Sequence, residues 1–197
     1  MKKLLSFAIF ALFATSVLAQ QEVTKFLGIP VDGTKSAMIE KLKAKGFTWN
    51  ARMECLEGEF NGEEVYINVV TNNNKVWRIA LGDKNERDEG AIRIRFNHLV
   101  SQFERNQKYT TSYWNKESQM LSDTENVSYE ITVKSRQFEA VFYQLANGMD
   151  VDDMTLEDIA SLHKRSVWFM ISKGGYNKYR ISMFYDNEYN HADGEDL

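Results

Sequence analysis

The stretch Phe26–Phe47, FLGIPVDGTKSAMIEKLKAKGF, decides the fold. Phe26 to Val31 is short, apolar and extended, and Pro30 keeps it at an edge because proline cannot donate to a sheet ladder. Asp32-Gly33-Thr34 is a turn, and Asp32 or Thr34 caps the helix behind it. Met38, Ile39 and Leu42 then fall on one side of that helix, Thr34–Lys45, with Lys41, Lys43 and Lys45 elsewhere. Gly46 fits a left-handed stop, and Phe47 makes the apolar contact across it. A sheet begins there, and one helix of this kind covers one of its faces.

Phe47 to Phe60 reads as one extended run, and Asn61-Gly62 is a two-residue hairpin signal. Val65, Ile67 and Val69 alternate with Tyr66, Asn68 and Val70 on the return strand. After the turn Thr71–Asn74, Lys75 to Leu81 places Trp77, Ile79 and Leu81 on one face and Val76, Arg78 and Ala80 on the other. This is an antiparallel meander with one face buried. A charged connection, Gly82–Gly90, leads to a second helix, Ala91–Asn106. Its core stripe is Ile92, Phe96, Leu99 and Phe103; Arg93, Arg95 and Arg105 read as a solvated face. Further on, Ser128–Val133 and Phe138–Leu145 read as strands joined by Lys134–Arg136. A short helix runs from the cap Thr155 to His163, with Glu157 and Asp158 favoured by the dipole in its first turn. Val167–Ile171 and Tyr179–Tyr185 form the last hairpin. The expected class is α+β: antiparallel β-meanders packed by two or three helices. The order of elements suggests two related helix-plus-meander halves, 26–90 and 91–190, within one domain, 26–190.

The ends carry different information. Met1-Lys2-Lys3 followed by the uncharged run Leu4–Leu18 and Val17-Leu18-Ala19 reads as a signal peptide, 1–19, cleaved after Ala19. The apolar run is short for a span of ~20 residues. A polar leader, 20–25, comes next, and an acidic tail, 191–197, closes the chain. The protein is therefore expected to be exported, to the periplasm or the exterior, with no stable membrane span after cleavage. Without residues 1–19 the chain has 178 residues, 22 Lys+Arg and 28 Asp+Glu, a formal charge of −6. That acidity argues against nucleic acid as a partner. Aromatic residues make up 13% of the chain and proline occurs once, which marks a folded rather than a disordered protein. The single cysteine, Cys55, excludes an intrachain disulfide and reads as a small buried hydrophobe.

Common catalytic signatures are missing from the sequence: G-x-S-x-G, H-E-x-x-H, a Walker loop and G-x-G-x-x-G. His98, His163 and His191 have no second ligand at zinc spacing, and His98 reads as a structural histidine beside the apolar stripe. Asp186, Asn187, Glu188, Asp193, Glu195 and Asp196 miss the regular calcium-loop order and read as a solvated tail. Neither a metal nor another cofactor is implied. Glu54, Glu57, Glu59, Glu63 and Glu64 cluster at the first hairpin. They are either a solvent-facing hairpin tip or, through Glu57, Glu59 or Glu64, the carboxylates of an envelope glycan hydrolase. The aromatics of the second half are the strongest candidates for binding: Tyr113, Trp114, Tyr176, Tyr179 and Tyr189, with Tyr185 among them. Tyrosine and tryptophan combine contact area with one polar handle and recur at protein interfaces, though they also build β-rich cores.

Two segments, FLGIPVDGTKSAMIEKLKAKGF and Lys178–Leu197 (KYRISMFYDNEYNHADGEDL), resemble the two ends of exported α+β proteins of Gram-negative gut anaerobes. That family is similar in organisation to the β-lactamase-inhibitor-protein-like fold, and more loosely to small outer-membrane assembly lipoproteins. This chain departs from both: it lacks the inhibitor's disulfide cysteines and the lipobox. The resemblance implies a fold and carries over no functional residue. The expected function is a non-catalytic module that binds a protein or peptide partner in the cell envelope. The alternatives are a glycan hydrolase using the hairpin carboxylates or a purely structural envelope protein.

Overall fold

The computed structural model describes residues 22–111 and 117–191. Its centre is one antiparallel sheet of eight strands. β1 (Lys25–Phe26) and β2 (Ile29–Pro30) form a separate small hairpin. Helix α1 (Lys35–Ala44) precedes β3 (Thr48–Asn50), β4 (Cys55–Phe60), β5 (Glu63–Asn72) and β6 (Lys75–Asp83). Helix α2 (Glu89–Arg105) precedes β7 (Tyr109–Thr110), α3 (Val127–Thr132), β8 (Glu139–Gln144), α4 (Leu156–Leu162), β9 (Ser166–Lys173) and β10 (Tyr179–Asp186). The strand order is β3-β4-β5-β6-β10-β9-β8-β7, so α1 and α2 each head a set of four strands and the last strands of the two sets meet in the middle. The protein is α+β. No helix among the described residues is long and apolar enough to cross a membrane.

α1 starts where expected: the Thr34 hydroxyl accepts from the Ala37 amide. It also stops as expected. Gly46 has φ +101°, its amide bonds the Lys43 carbonyl, and the Phe47 amide reaches back to Leu42. That is a Schellman stop, with Phe47 and Leu42 both buried across it. α2 is capped by the Asp88 carboxylate and buries Ile92, Phe96, Leu99 and Phe103, the whole stripe read from its spacing. The two helices cover one face of the sheet, α1 over β5 and β6, α2 over β7, β9 and β10. Between sheet and helices lies a single apolar core that includes Leu56, Ile67, Ile79, Phe169 and Ile181. The β1–β2 hairpin wedges into it: Phe26 is fully buried, 4.9 Å from the Tyr185 ring and 5.2 Å from Phe60.

Several elements differ from their sequence reading. Residues 26–31 are not one extended segment, because Leu27 and Gly28 (φ +51° and +79°) turn the chain back within two residues. The run from Phe47 to Phe60 is two strands. The Asn50 side-chain carbonyl accepts from the Arg52 and Met53 amides and Glu54 takes φ +51°, making a side-chain-built turn that the apolar pattern hides. Residues 128–132 are helix and Val133 its C-cap, not strand: Asn126 caps Tyr129, and Val127 and Ile131, four apart, pack inward while the β-branched residues suggest a strand. Arg95 is buried rather than solvated, 3.4 Å from Asp83, itself buried. His98 is exposed rather than structural. Asp186 and Asn187, read as the start of a solvated tail, are buried at the end of β10.

Candidate functional site

Successive residues in a strand face opposite sides, and directly paired residues in neighbouring strands share a side. The row Leu56–Ile67–Leu81–Met183–Phe169–Ala140 therefore faces the helices. The row beside it, Glu57–Tyr66–Gly82–Ser182–Met170–Glu139, faces away. α1 and α2 leave this second face open, and its residues are half-buried or exposed. Gly82, Ser182 and Ala80 are small and sit on the two central strands.

One end of this face carries a built cluster. Trp168 of β9 and Phe184 of β10 are a direct cross-strand pair with stacked rings, 4.2 Å between centroids. Arg78 of β6 is paired with Asp186 of β10 and forms a two-pronged ion pair, both N–O distances 2.6 Å. The Asp186 carboxylate also accepts from the Trp168 indole N–H at 2.8 Å. Thus a buried acid fixes both the guanidinium and the indole. The guanidinium lies 4.2 Å from the Trp77 ring centre, 4.7 Å from Phe184 and 5.4 Å from Trp168. His191 closes the end, 4.3 Å from Trp77.

Trp77 reaches this face through a β-bulge. Val70 pairs with Arg78 and Thr71 with Val76, so Trp77 has no partner in β5 and the alternation slips by one. Val76 consequently enters the core with Ile79 and Leu81, while Trp77 turns out. The sequence reading puts Trp77 with Ile79 and Leu81; strict alternation cannot see a bulge.

The opposite flank of the open face is polar. Lys84 bonds Glu57 at 2.7 Å and stands 4.9 Å from the Tyr66 ring. Lys84 and then Asn50, through their hydrogen bonds, hold the Glu57 carboxyl below its usual range, and Glu57 in turn raises Lys84. Cys55, in the same strand as Glu57, is buried, and burial first, then Glu57, pushes its thiol up, away from the reactive thiolate.

The residues expected to bind are scattered. Tyr113 and Trp114 lie outside the described residues. Tyr176 is 92% exposed in the β9–β10 connection. Tyr189 is half-buried in a one-turn 3-10 helix past the far end of β10, so a strand of eight residues, about 26 Å, separates the two. Tyr179 and Tyr185 point to the core, 1% and 4% exposed, and offer no contact surface. Of the hairpin carboxylates, Glu57 is tied to Lys84 and Glu63 to Arg87 at 2.5 Å. Glu59 and Glu64 are exposed and directly opposed across the β4–β5 ladder. Of the five, only Glu59 borders the cleft between the β1–β2 hairpin and the tip of β4–β5; Glu54, Glu57, Glu63 and Glu64 are not in its lining.

Sequence reasoning passes over Trp168, Phe184 and Arg78. A signal is present: in SVWFMISK and YRISMFYD, the residues out of phase with the apolar set put a tryptophan and a phenylalanine on one face of one hairpin. Compared with models of known families, with curated proteins and with solved structures, the chain matches none.

Proposed function

We propose that this is a non-catalytic binding module, exported to the periplasm or beyond, that docks a protein or peptide partner on the open face of its sheet. The Trp77–Arg78–Phe184–Trp168 cluster carries this reading. Tryptophan and arginine dominate the energetics of protein interfaces, and rigid side chains lose little entropy on binding. Here Asp186 holds the arginine and Trp168 in place before any partner arrives. The net acidic charge supports a protein rather than a nucleic-acid partner. The n-region Met1–Lys3 and the apolar run behind it support export. Glycoside cleavage needs two carboxyls, one on either side of a bound sugar, and the hairpin supplies only Glu59 to a cleft, with Glu57 and Glu63 tied to Lys84 and Arg87, so the hydrolase alternative is the weaker reading.

The test is capture from an envelope extract by the purified protein, with Trp168→Ala as the comparison. Truncating a central anchor costs about 2 kcal/mol or more, roughly thirtyfold in affinity. A partner retained by the wild type and lost by a still-folded Trp168→Ala supports the reading. Capture of nothing, or equal capture by both proteins, overturns it.

A further inference from the structure

The helix-covered side of the sheet has a second feature that the open face does not explain. Beyond the C-terminal half of α2, a cleft of about 1230 Å³ opens between the β1–β2 hairpin, the tip of β4–β5, β7 and the 145–149 loop. Its floor is aromatic: Phe60 and Tyr109 are half-buried there, backed by Phe103 and Tyr185. The Tyr109 ring is held edge-on against Phe103 at 4.8 Å, and its hydroxyl accepts from the Gln144 amide at 3.3 Å.

Four observations define what would fit. The first is charge. The lining holds Glu22 and Glu59 against Lys25 and Lys108, and no arginine, so neither an anion nor a cation is selected. The second is the backbone. Both polar groups of Lys25 are already bonded to the Gln144 side chain, and the Leu145 amide to the Lys108 carbonyl. A peptide strand finds no free ladder to join along these stretches. The third is the rim. Gln107 and Asn147 line it, and their side chains make no hydrogen bond among the described residues. A primary amide both donates and accepts, which suits hydroxyl groups that do the same.

The fourth observation is Leu27 at the tip of the β1–β2 hairpin. It is 40% exposed, lines the cleft and is held at φ +51°. The left-handed conformation costs leucine more than asparagine or glycine, the usual residues of such a turn. An apolar side chain is thus kept in a strained position on the wall of the cleft, as expected where function rather than stability chooses the residue.

We infer that this cleft binds a short, uncharged oligosaccharide, its C–H faces over Phe60, Tyr109 and Leu27 and its hydroxyls toward the Gln107 and Asn147 amides. The volume exceeds the ~300–1,000 Å³ of ordinary small-molecule pockets, which fits a ligand of more than one sugar unit. The site is separate from the open face and does not depend on a partner there.

Calorimetric titration of the purified protein with maltotriose, cellotriose and triacetylchitotriose tests the inference. Trigalacturonate and N-acetyl-trialanine amide serve as acidic and peptide comparators. At least one neutral trisaccharide should bind with a dissociation constant in the millimolar range or below, more tightly than either comparator. The double variant Gln107→Ala/Asn147→Ala, altered only at the rim, should lose about tenfold. Leu27→Asn should raise the unfolding midpoint and still weaken the sugar, a combination that misfolding cannot produce. Trp168→Ala should leave the affinity unchanged. No binding of any neutral trisaccharide, tighter binding of a comparator, or full affinity in both cleft variants would overturn the assignment.

Discussion

Two glycines in paired parts of the sheet separate the covered face from the open one. A Cβ at Gly58 in β4 would lie 2.6 Å from Cδ1 of Phe47, a buried ring that closes the α1 stop. A Cβ at Gly82 in β6 would meet nothing within 4 Å. Gly58→Ala should therefore cost about 1–3 kcal/mol through overpacking. Gly82→Ala, on the open face, should stay within about 0.5 kcal/mol of wild type. Urea unfolding of both variants measures this; equal effects would mean that the two faces are not distinguished as described. Asp186 is the other decisive residue. Its removal leaves a half-buried guanidinium unpaired and the Trp168 indole N–H without its acceptor, so Asp186→Ala should lose about 3 kcal/mol in the same assay. A loss under about 1 kcal/mol would show that the pair behaves as a surface ion pair and does not fix the cluster. From sequence alone Asp186 looks like the first residue of an acidic tail. What makes it a core residue is the cross-strand position of Arg78, 108 residues earlier, and pairing between distant strands leaves no local trace.

At the scale of elements, legibility depends on whether the signal is local. The α1 cap and stop, the α2 stripe, the Asn61-Gly62 turn (φ +53° and +76°) and the last hairpin all arise from short-range chemistry and are readable. The bulge at Trp77, the turn built by Asn50 and the capped helix α3 are not, because each depends on a hydrogen bond or register that outvotes propensity. The candidate site suffers most, since a one-residue slip in β6 moves a tryptophan from one face to the other. α4 gives a local prediction. Thr155 and Asp158 form a capping box: the Asp158 carboxylate accepts from the Thr155 hydroxyl and amide, and the hydroxyl accepts from the Asp158 amide. These bonds, the hydroxyl's first, hold the Asp158 carboxyl below its usual range. A depressed folded-state pKa stabilises the helix above the unfolded value, about 3.9, and the effect is lost as pH falls through the lower folded value. Amide-exchange protection of Ile159, which bonds the Thr155 carbonyl, should decline over that window once intrinsic rates are removed. Thr155→Ala should cost about 1 kcal/mol and abolish the pH dependence. Protection that stays flat below about pH 4 in the wild type would count against the box.

The whole molecule raises the question of whether its two helix-plus-four-strand sets are separable. Their arrangement looks modular, with β6 and β10 meeting along one seam. Three features tie the sets together. One apolar cluster runs through both, including Ile67 and Ile79 on one side and Phe169 and Ile181 on the other. The N-terminal hairpin belongs to the first set by sequence, yet it is closed by the second: Phe26 packs on Tyr185, the Thr24 hydroxyl donates to the Asp186 carbonyl, and Asn187 donates to the Val31 carbonyl. The buried pair Asp83–Arg95 pins the start of α2 to the end of β6. Cutting the chain between the sets would expose the long β6 edge and take Tyr185 from Phe26, and neither half retains a complete core. Unfolding should therefore be one cooperative transition. Single-tryptophan variants that keep only Trp49, in β3, or only Trp168, in β9, place a probe in each set. Their urea midpoints should coincide with each other and with far-UV circular dichroism, and a fragment of residues 22–88 should show no cooperative transition of its own. Two separated midpoints, or a fragment that folds alone, would make the seam an interface between independent units. The open face, whose cluster takes Trp77 and Arg78 from one set and Trp168, Phe184 and Asp186 from the other, would then be a surface that assembles only when the units dock.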